Sequence, residues 1–120
     1  MNKFDLNNKN AIITGGAQGF GLDIAKRFLQ SGAKVIIWDI DEKELKKALK
    51  LINDQNLSYD VVDVSDPKIV DDVVKKSISK TNIDILINSA GITGSTAELW
   101  DYDYEEWKKI IDINLHGTFN

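Results

Sequence analysis

The chain has 120 residues, 42% of them hydrophobic and 28% charged, which fits one domain of ordinary globular composition. The 19 acidic residues outnumber the 15 basic ones, and the net charge of -4 argues against nucleic acid or an anionic membrane as a partner. The lack of cysteine excludes disulfides and thiolate metal sites, and no apolar run is long enough for a signal peptide or a membrane span. We therefore expect a soluble, cytoplasmic protein.

Four apolar runs have the length and composition of strands. The predicted strands are Ala11–Thr14, Lys34–Asp39, a weaker run at Leu57–Val64, and Ile83–Gly91. Helical periodicity fills the segments between them. Apolar strands that alternate with amphipathic helices predict a parallel sheet with helices on both faces, so the fold class is a doubly wound α/β sheet of about four strand–helix units.

Local signals predict where the helices begin and end. Gly32 marks the end of the first helix, and Asp41 is a suitable N-cap for the second. For the third helix, either Ser65 or Asp66 can serve as the cap, and Pro67 suits the first turn. A loop to about residue 102 precedes a last helical pattern that contains Trp107, Ile110, Ile111 and Leu115.

A glycine-rich turn joins the first strand to the first helix, with glycines at positions 15, 16, 19 and 21. Ligands of doubly wound sheets bind beyond the carboxyl ends of the strands, and a helix N-terminus attracts phosphate groups. The alternative is a tight turn without a ligand. A P-loop is excluded because Leu22 and Asp23 follow Gly21, and the G-x-G-x-x-G spacing is also absent.

The pattern Thr14-Gly15-x-x-x-Gly19-x-Gly21 resembles the cofactor turn of the short-chain dehydrogenase/reductase family. Four further segments, in the same order, resemble other motifs of that family: Asp39 at the end of the second strand, "DV" at 63–64, "NSAG" at 88–91 and "INLHGTF" at 113–119. Two positions depart from the family pattern, Phe20 in place of Ile or Leu and Ser89 in place of Asn.

The resemblance implies a Rossmann domain over residues 1–120 that binds NAD, with no metal. The cofactor-binding residues that it implies are Gly15, Gln18, Gly19, Phe20, Gly21, Asp39, Asp63, Val64, Asn88, Ala90 and Gly91. Asn114 corresponds to the family's catalytic asparagine, which supports a proton-relay water. The family's serine, tyrosine and lysine lie downstream of this segment, so we expect the 120 residues to be an inactive N-terminal part that lacks the catalytic C-terminal part.

The charge of Asp39 favours NAD over NADP. A carboxylate can accept hydrogen bonds from the ribose hydroxyls, whereas the extra phosphate of NADP would be repelled by about 4 kcal/mol at about 4 Å and an effective dielectric constant near 20. Neither Gln18 nor Ile40 offers a positive charge to receive that phosphate. Without the glycine pattern, Asp39 is as readily explained as the start of a turn.

Several other residues invite a functional interpretation. Tyr104 and Lys108 have the Tyr-x-x-x-Lys spacing, but they precede Asn114, in the loop before the last helix, and we expect them to be surface residues. His116 has no evident metal-binding companions and is expected near a helix end. Trp100, Tyr102 and Trp107 line a substrate entrance or anchor a loop.

The leading functional expectation is hydride transfer between NAD and an alcohol or ketone carbon, with a 3-oxoacyl thioester as one substrate class. A sugar or polyol dehydrogenase of the same family is the alternative, and a non-catalytic dinucleotide-binding module is the alternative of another class. The resemblance also implies a small-molecule substrate and a dimer or tetramer for the full-length form. Alone, these residues leave the apolar fourth strand without an outer neighbour and the last helix with an uncovered apolar face.

Overall fold

The computed structural model describes residues 3–120, and its centre is a parallel sheet of four strands. The strands are β1 (Asn10–Thr14), β2 (Lys34–Asp39), β3 (Leu57–Val61) and β4 (Ile85–Asn88), in the spatial order β3-β2-β1-β4. In register, Ala11 of β1 lies beside Val35 of β2 and Ile85 of β4. The chain runs outward from β1 through β2 to β3 and then crosses back to place β4 on the other side of β1, so the strand order reverses at β1.

The helices connect these strands and follow the last of them. They are α1 (Gly19–Gln30), α2 (Glu42–Ile52), α3 (Pro67–Ile78) and α4 (Tyr104–Ile111). A 3₁₀ turn at Leu99–Asp101 precedes α4, which continues into a π-helical segment, Asp112–His116, and a last helical turn, α5 (Gly117–Phe119). Within residues 3–120, no helix combines the length and the apolar character needed to cross a membrane.

The helices cover both faces of the sheet, as the alternation of strands and helices predicts. On one face, Ile13 and Ile37 pack with Ala25 of α1 and Leu45 of α2. On the other face, Ile12 and Trp38 pack with Val62, Val64 and Val70, the last of these from α3. The doubly wound α/β fold is therefore confirmed.

Aspartate side chains cap three of the helices. Asp41 Oδ1 accepts from the Glu44 amide at 3.2 Å, and Asp103 Oδ2 accepts from the Glu106 amide at 2.9 Å. At α3, Asp66 rather than Ser65 is the cap, with its Oδ1 accepting from the amides of residues 68 and 69 at 3.0 and 3.3 Å. Pro67 occupies the first turn, where its missing N–H is no loss.

Three predicted boundaries were wrong. The fourth strand ends at Asn88 rather than Gly91, because the amides of Ser89 and Ala90 donate to a side chain of β1 and leave the ladder. The third strand ends at Val61. The last helix already begins at Tyr104, so that residue belongs to the helix rather than to the loop before it.

The edge of the sheet at β4 and the helix α4 remain open. β4 pairs with β1 alone, and Leu86 in it is 56% exposed. None of the residues of α4 is buried, and Trp107 is 48% exposed. The expectation of an uncovered strand edge and an uncovered helix face is therefore confirmed for the part of the chain that the structure describes.

Candidate dinucleotide-binding site

A cleft of about 390 Å³ opens at the carboxyl ends of the strands, beside the start of α1. It collects residues that are far apart in the sequence and that were predicted to form one site. Those lining the cleft are Gly15, Gln18, Phe20, Gly21, Asp39, Asp63, Val64, Ala90 and Gly91. The predicted residues Gly19, Asn88 and Asn114 do not line it directly.

The glycine turn has a backbone that residues with a side chain rarely adopt. Gly19 has a φ of +59°, in the left-handed region, and a β-carbon added there would meet no atom within 4 Å. At Gly21, an added β-carbon would collide with the carbonyl oxygen of Gly15. The turn is therefore folded tightly on itself and leaves open space above Gly19.

The first turn of α1 has free hydrogen-bond donors. Its N-cap, Gln18, makes no capping hydrogen bond through its side chain, and the first turn contains no acidic residue. The amides at a helix start have no partners within the helix, and the helix dipole gives them a partial positive charge. The other three long helices begin at an aspartate cap, so α1 is the one among them whose start can bind an external anion.

Asp39 is held at the end of β2 with its carboxylate toward the glycine turn. Its Oδ2 accepts from the Ala17 amide at 3.3 Å, and its Oδ1 accepts from the Asp41 amide at 3.2 Å. The side chain is half-buried and lines the cleft. These contacts orient the carboxylate and leave lone pairs for hydroxyl donors of a ligand.

Asp63 and Val64 follow β3 on the same side of the cleft. One oxygen of Asp63 accepts from the amide and the hydroxyl of Ser65, at 3.0 and 2.6 Å. Val64 is buried, and its carbonyl accepts from the side-chain amide of Asn120 at 3.0 Å. These hydrogen bonds orient both residues at the edge of the cleft.

Thr14 links the glycine turn to β4, a role that the sequence reasoning did not assign. Its side chain is buried, and Oγ1 accepts from the amides of Ser89 and Ala90 at 3.1 and 3.0 Å. The hydroxyl thereby holds the segment after β4 against the glycine turn. The threonine just before the first glycine could have indicated this role, because a hydroxyl at the end of one strand can accept hydrogen bonds from the backbone that follows a neighbouring strand.

Seven residues that were not predicted as site residues also line the cleft. Asp41 and Ser89 are polar, and the other five are apolar: Trp38, Ile40, Val62, Ile92 and Ile113. The Nε1 of Trp38 is buried without a hydrogen-bond partner among the described residues. The position of Ile40 directly after Asp39 could have indicated it. Tertiary packing brings the other four apolar residues to the cleft, and a local pattern does not show it.

Asn114 lies in the π-helical segment and binds the segment that follows β4. Its Oδ1 accepts from the Ile92 amide at 2.9 Å, while its Nδ2 donates to the Ile92 carbonyl at 2.9 Å. Gly91 lies against it, and a β-carbon there would come within 3.3 Å of Asn114 Oδ1. Asn114 therefore shapes one wall of the cleft from behind.

Tyr104 and Lys108 are exposed on α4, as expected, and neither lines the cleft. Lys108 instead lines a shallow groove of about 280 Å³ that it shares with Lys109, Ile40 and Asp63. His116 pairs with Asp112 at 3.0 Å near the end of the helical region. Across residues 3–120, there is no cluster of three or more potential metal ligands.

The aromatic residues near α4 anchor a loop. Tyr102 packs edge-to-face on Trp107 with ring centroids 6.2 Å apart, and its hydroxyl fills the space beside Gly94. Desolvation and the charge of Glu106 raise the pKa of Tyr102. Glu106 also accepts from the amide of Ser95 at 2.7 Å. Of the two open interpretations, the structure supports anchoring for Tyr102 and Trp107, while Trp100 is 80% exposed.

A parallel sheet whose strand order reverses beside a glycine turn and an uncapped helix is the architecture of dinucleotide-binding α/β proteins. The model of the family described as short chain dehydrogenase matches residues 9–120. The chain therefore belongs to the short chain dehydrogenase family.

Similar proteins include a 3-oxoacyl-[acyl-carrier-protein] reductase of Chlamydia muridarum, 40% identical over 94% of this chain and 47% of that protein. A crystal structure of a 3-ketoacyl-(acyl-carrier-protein) reductase from Brucella melitensis complexed with NADH matches with a TM-score of 0.89 and 34% identity, over 96% of this chain and 47% of that one. The structure of ElxO with NADP bound matches with a TM-score of 0.86 and 32% identity, over 92% and 46%. The chain thus spans about half the length of the relatives it matches.

Proposed function

We propose that the chain is the NAD-binding part of an oxidoreductase that acts on an alcohol or ketone carbon. The observation that carries the proposal is the meeting of the glycine turn, the uncapped start of α1 and the carboxylate of Asp39 in one cleft. When bound, the nicotinamide of the cofactor supplies the carbon that gives or takes the hydride.

The cleft has the features that a dinucleotide needs. The open space above Gly19 and the amides at the start of α1 suit a pyrophosphate. Asp39 is placed to accept hydrogen bonds from a ribose, and Asp63 and Val64 lie beyond it on the side of β3. The segment 88–91 forms the wall on the side of β4. These positions support an assignment of the adenosine half to the β2–β3 side and the nicotinamide half to the β4 side.

Asp39 is the basis for proposing NAD rather than NADP. The phosphate on the adenosine ribose of NADP would face a carboxylate that is itself held in place by two backbone amides. The relatives include one structure with NADH and one with NADP, so the family alone does not decide between them. Lys108 and Lys109 line the adjoining groove. To gain a favourable charge contact there, the extra phosphate of NADP would have to extend out of the cleft and into that groove.

For the substrate, we propose a 3-oxoacyl thioester, and the support is the names of the two reductases similar to this chain. Asn114 is proposed to contribute by holding the wall next to the nicotinamide half. Its amide retains one hydrogen and its oxygen one lone pair, so it can also bind a water in a proton relay.

Paired titrations of the purified protein with NADH and NADPH test the cofactor assignment. We expect NADH to bind at least about tenfold more tightly, which corresponds to about 1.4 kcal/mol and to a fraction of the repulsion at Asp39. Equal or tighter binding of NADPH would contradict the assignment of NAD. Failure of the folded protein to bind either dinucleotide would contradict the proposed function itself.

A further inference from the structure

Phe20 is an exposed aromatic side chain in the cleft wall. It lies in the first turn of α1, between Gly19 and Gly21, and 87% of its surface is exposed. The other exposed apolar residues of the cleft, Ile40 and Ile92, are aliphatic and are 66% and 36% exposed. Phe20 therefore presents a ring face to the cleft that the fold itself does not use.

The position of Phe20 is next to the junction of the two halves of a bound dinucleotide. The start of α1 suits the pyrophosphate, and Asp39 and Asp63 mark the side of β2 and β3. The remaining half must then extend toward the segment after β4, which rests on the glycine turn with Ala90 next to Gly15. Phe20 and the segment after β4 line the same cleft, so a base that lies along that segment would share the cleft with the ring.

We infer that Phe20 sets the relative affinity of the cleft for the two oxidation states of the cofactor, by presenting its ring to the nicotinamide. This inference rests on the proposed function. The oxidised nicotinamide is a cation, and an aromatic face attracts a cation through its quadrupole. The reduced nicotinamide is neutral and gains only apolar contact, so the ring favours NAD+ over NADH. Adenine has the same charge in both forms and could not produce such a difference.

The test measures dissociation constants for NAD+, NADH and ADP-ribose by calorimetry, on the unaltered protein and three variants. Phe20→Leu keeps an apolar side chain without the quadrupole, and Phe20→Trp strengthens the quadrupole. Phe4→Leu is the matched control, because Phe4 is 70% exposed and lies outside the cleft.

In Phe20→Leu, we expect the ratio of the NADH constant to the NAD+ constant to fall by about 2- to 5-fold, the range of an exposed cation–aromatic contact. Phe20→Trp should keep or raise the ratio, Phe4→Leu should leave it unchanged, and ADP-ribose should bind all four proteins alike. Equal weakening of all three ligands by Phe20→Leu, or no change in any of them, would overturn the inference while the proposed function stands. Absence of all binding in the unaltered protein would overturn the proposed function and the inference together.

Discussion

At the scale of single residues, the hydroxyl of Thr14 is the contact that joins β1 to the segment after β4. It accepts from two backbone amides in a buried position, so its removal leaves two donors without a partner. We expect Thr14→Val to lower the free energy of unfolding by about 1–3 kcal/mol, measured by urea denaturation. Thr14→Ser keeps the hydroxyl and should retain most of the stability. If the valine variant is as stable as the serine variant, these hydrogen bonds are not what holds the two segments together.

Asp39 is the residue on which the cofactor preference depends. We expect Asp39→Ala to lower the ratio of the NADPH dissociation constant to the NADH dissociation constant by about tenfold or more, because the repulsion of the added phosphate is removed. Fluorescence titration with both reduced dinucleotides measures this ratio. Asp54→Ala is a matched control, since Asp54 also accepts from the amide two residues later, at 2.8 Å, but lies away from the cleft. An unchanged ratio in Asp39→Ala would show that this carboxylate does not select the cofactor.

At the scale of elements, the glycine turn combines a special backbone with open space. Gly19→Ala places a methyl group where we assign the pyrophosphate, in a residue whose φ is +59°. We expect the variant to lose about tenfold or more in NADH affinity and about 1 kcal/mol in stability, as measured by titration and denaturation. Asn53→Ala is the control for the backbone conformation, because Asn53 has a φ of 49° at the end of α2, away from the cleft. If neither variant lowers the affinity for NADH, the pyrophosphate does not bind above Gly19.

Much of the fold could be predicted because its signals are local. The run Lys34–Asp39 is a strand from end to end, and Asp41 caps α2, because apolar runs and cap residues act over a few positions. The end of β4 was misplaced because a side chain of another strand, Thr14, binds the amides that would have continued the ladder. Similarly, nothing local distinguishes the π-helical segment around Asn114 from an α-helix, since its apolar spacing is compatible with both.

The candidate site was predictable where backbone chemistry dictates the residue type. The glycine spacing indicated a turn that disfavours side chains, and the structure shows a positive φ at Gly15 and Gly19 and no room for a β-carbon at Gly21. The apolar lining from Trp38 and Ile113 was not predicted, because these residues come together only when α3 and the π-helical segment pack on the sheet. The pattern of a single segment does not predict which distant residues pack against it.

At the scale of the whole molecule, β4 leaves one edge of the sheet open. An apolar strand edge offers unpaired backbone groups to another chain. We expect Leu86→Lys to reduce self-association of the 120-residue chain in light scattering, with the NADH constant unchanged, because Leu86 is 56% exposed on that edge strand. Leu51→Lys is the control, since Leu51 is 70% exposed on α2 and lies on no strand edge. If both variants reduce association equally, the effect is one of net charge and the edge is not responsible.

Amide hydrogen exchange with and without NADH shows whether one cleft binds the dinucleotide. We expect slower exchange on NADH binding in four segments that contribute to the lining of the cleft, which are residues 15–21, 39–41, 62–64 and 89–92. Exchange in α3 (Pro67–Ile78), none of whose residues lines the cleft, should not change. Binding of NADH that leaves the four segments unprotected, or that protects a different surface instead, would show that this cleft is not the dinucleotide site.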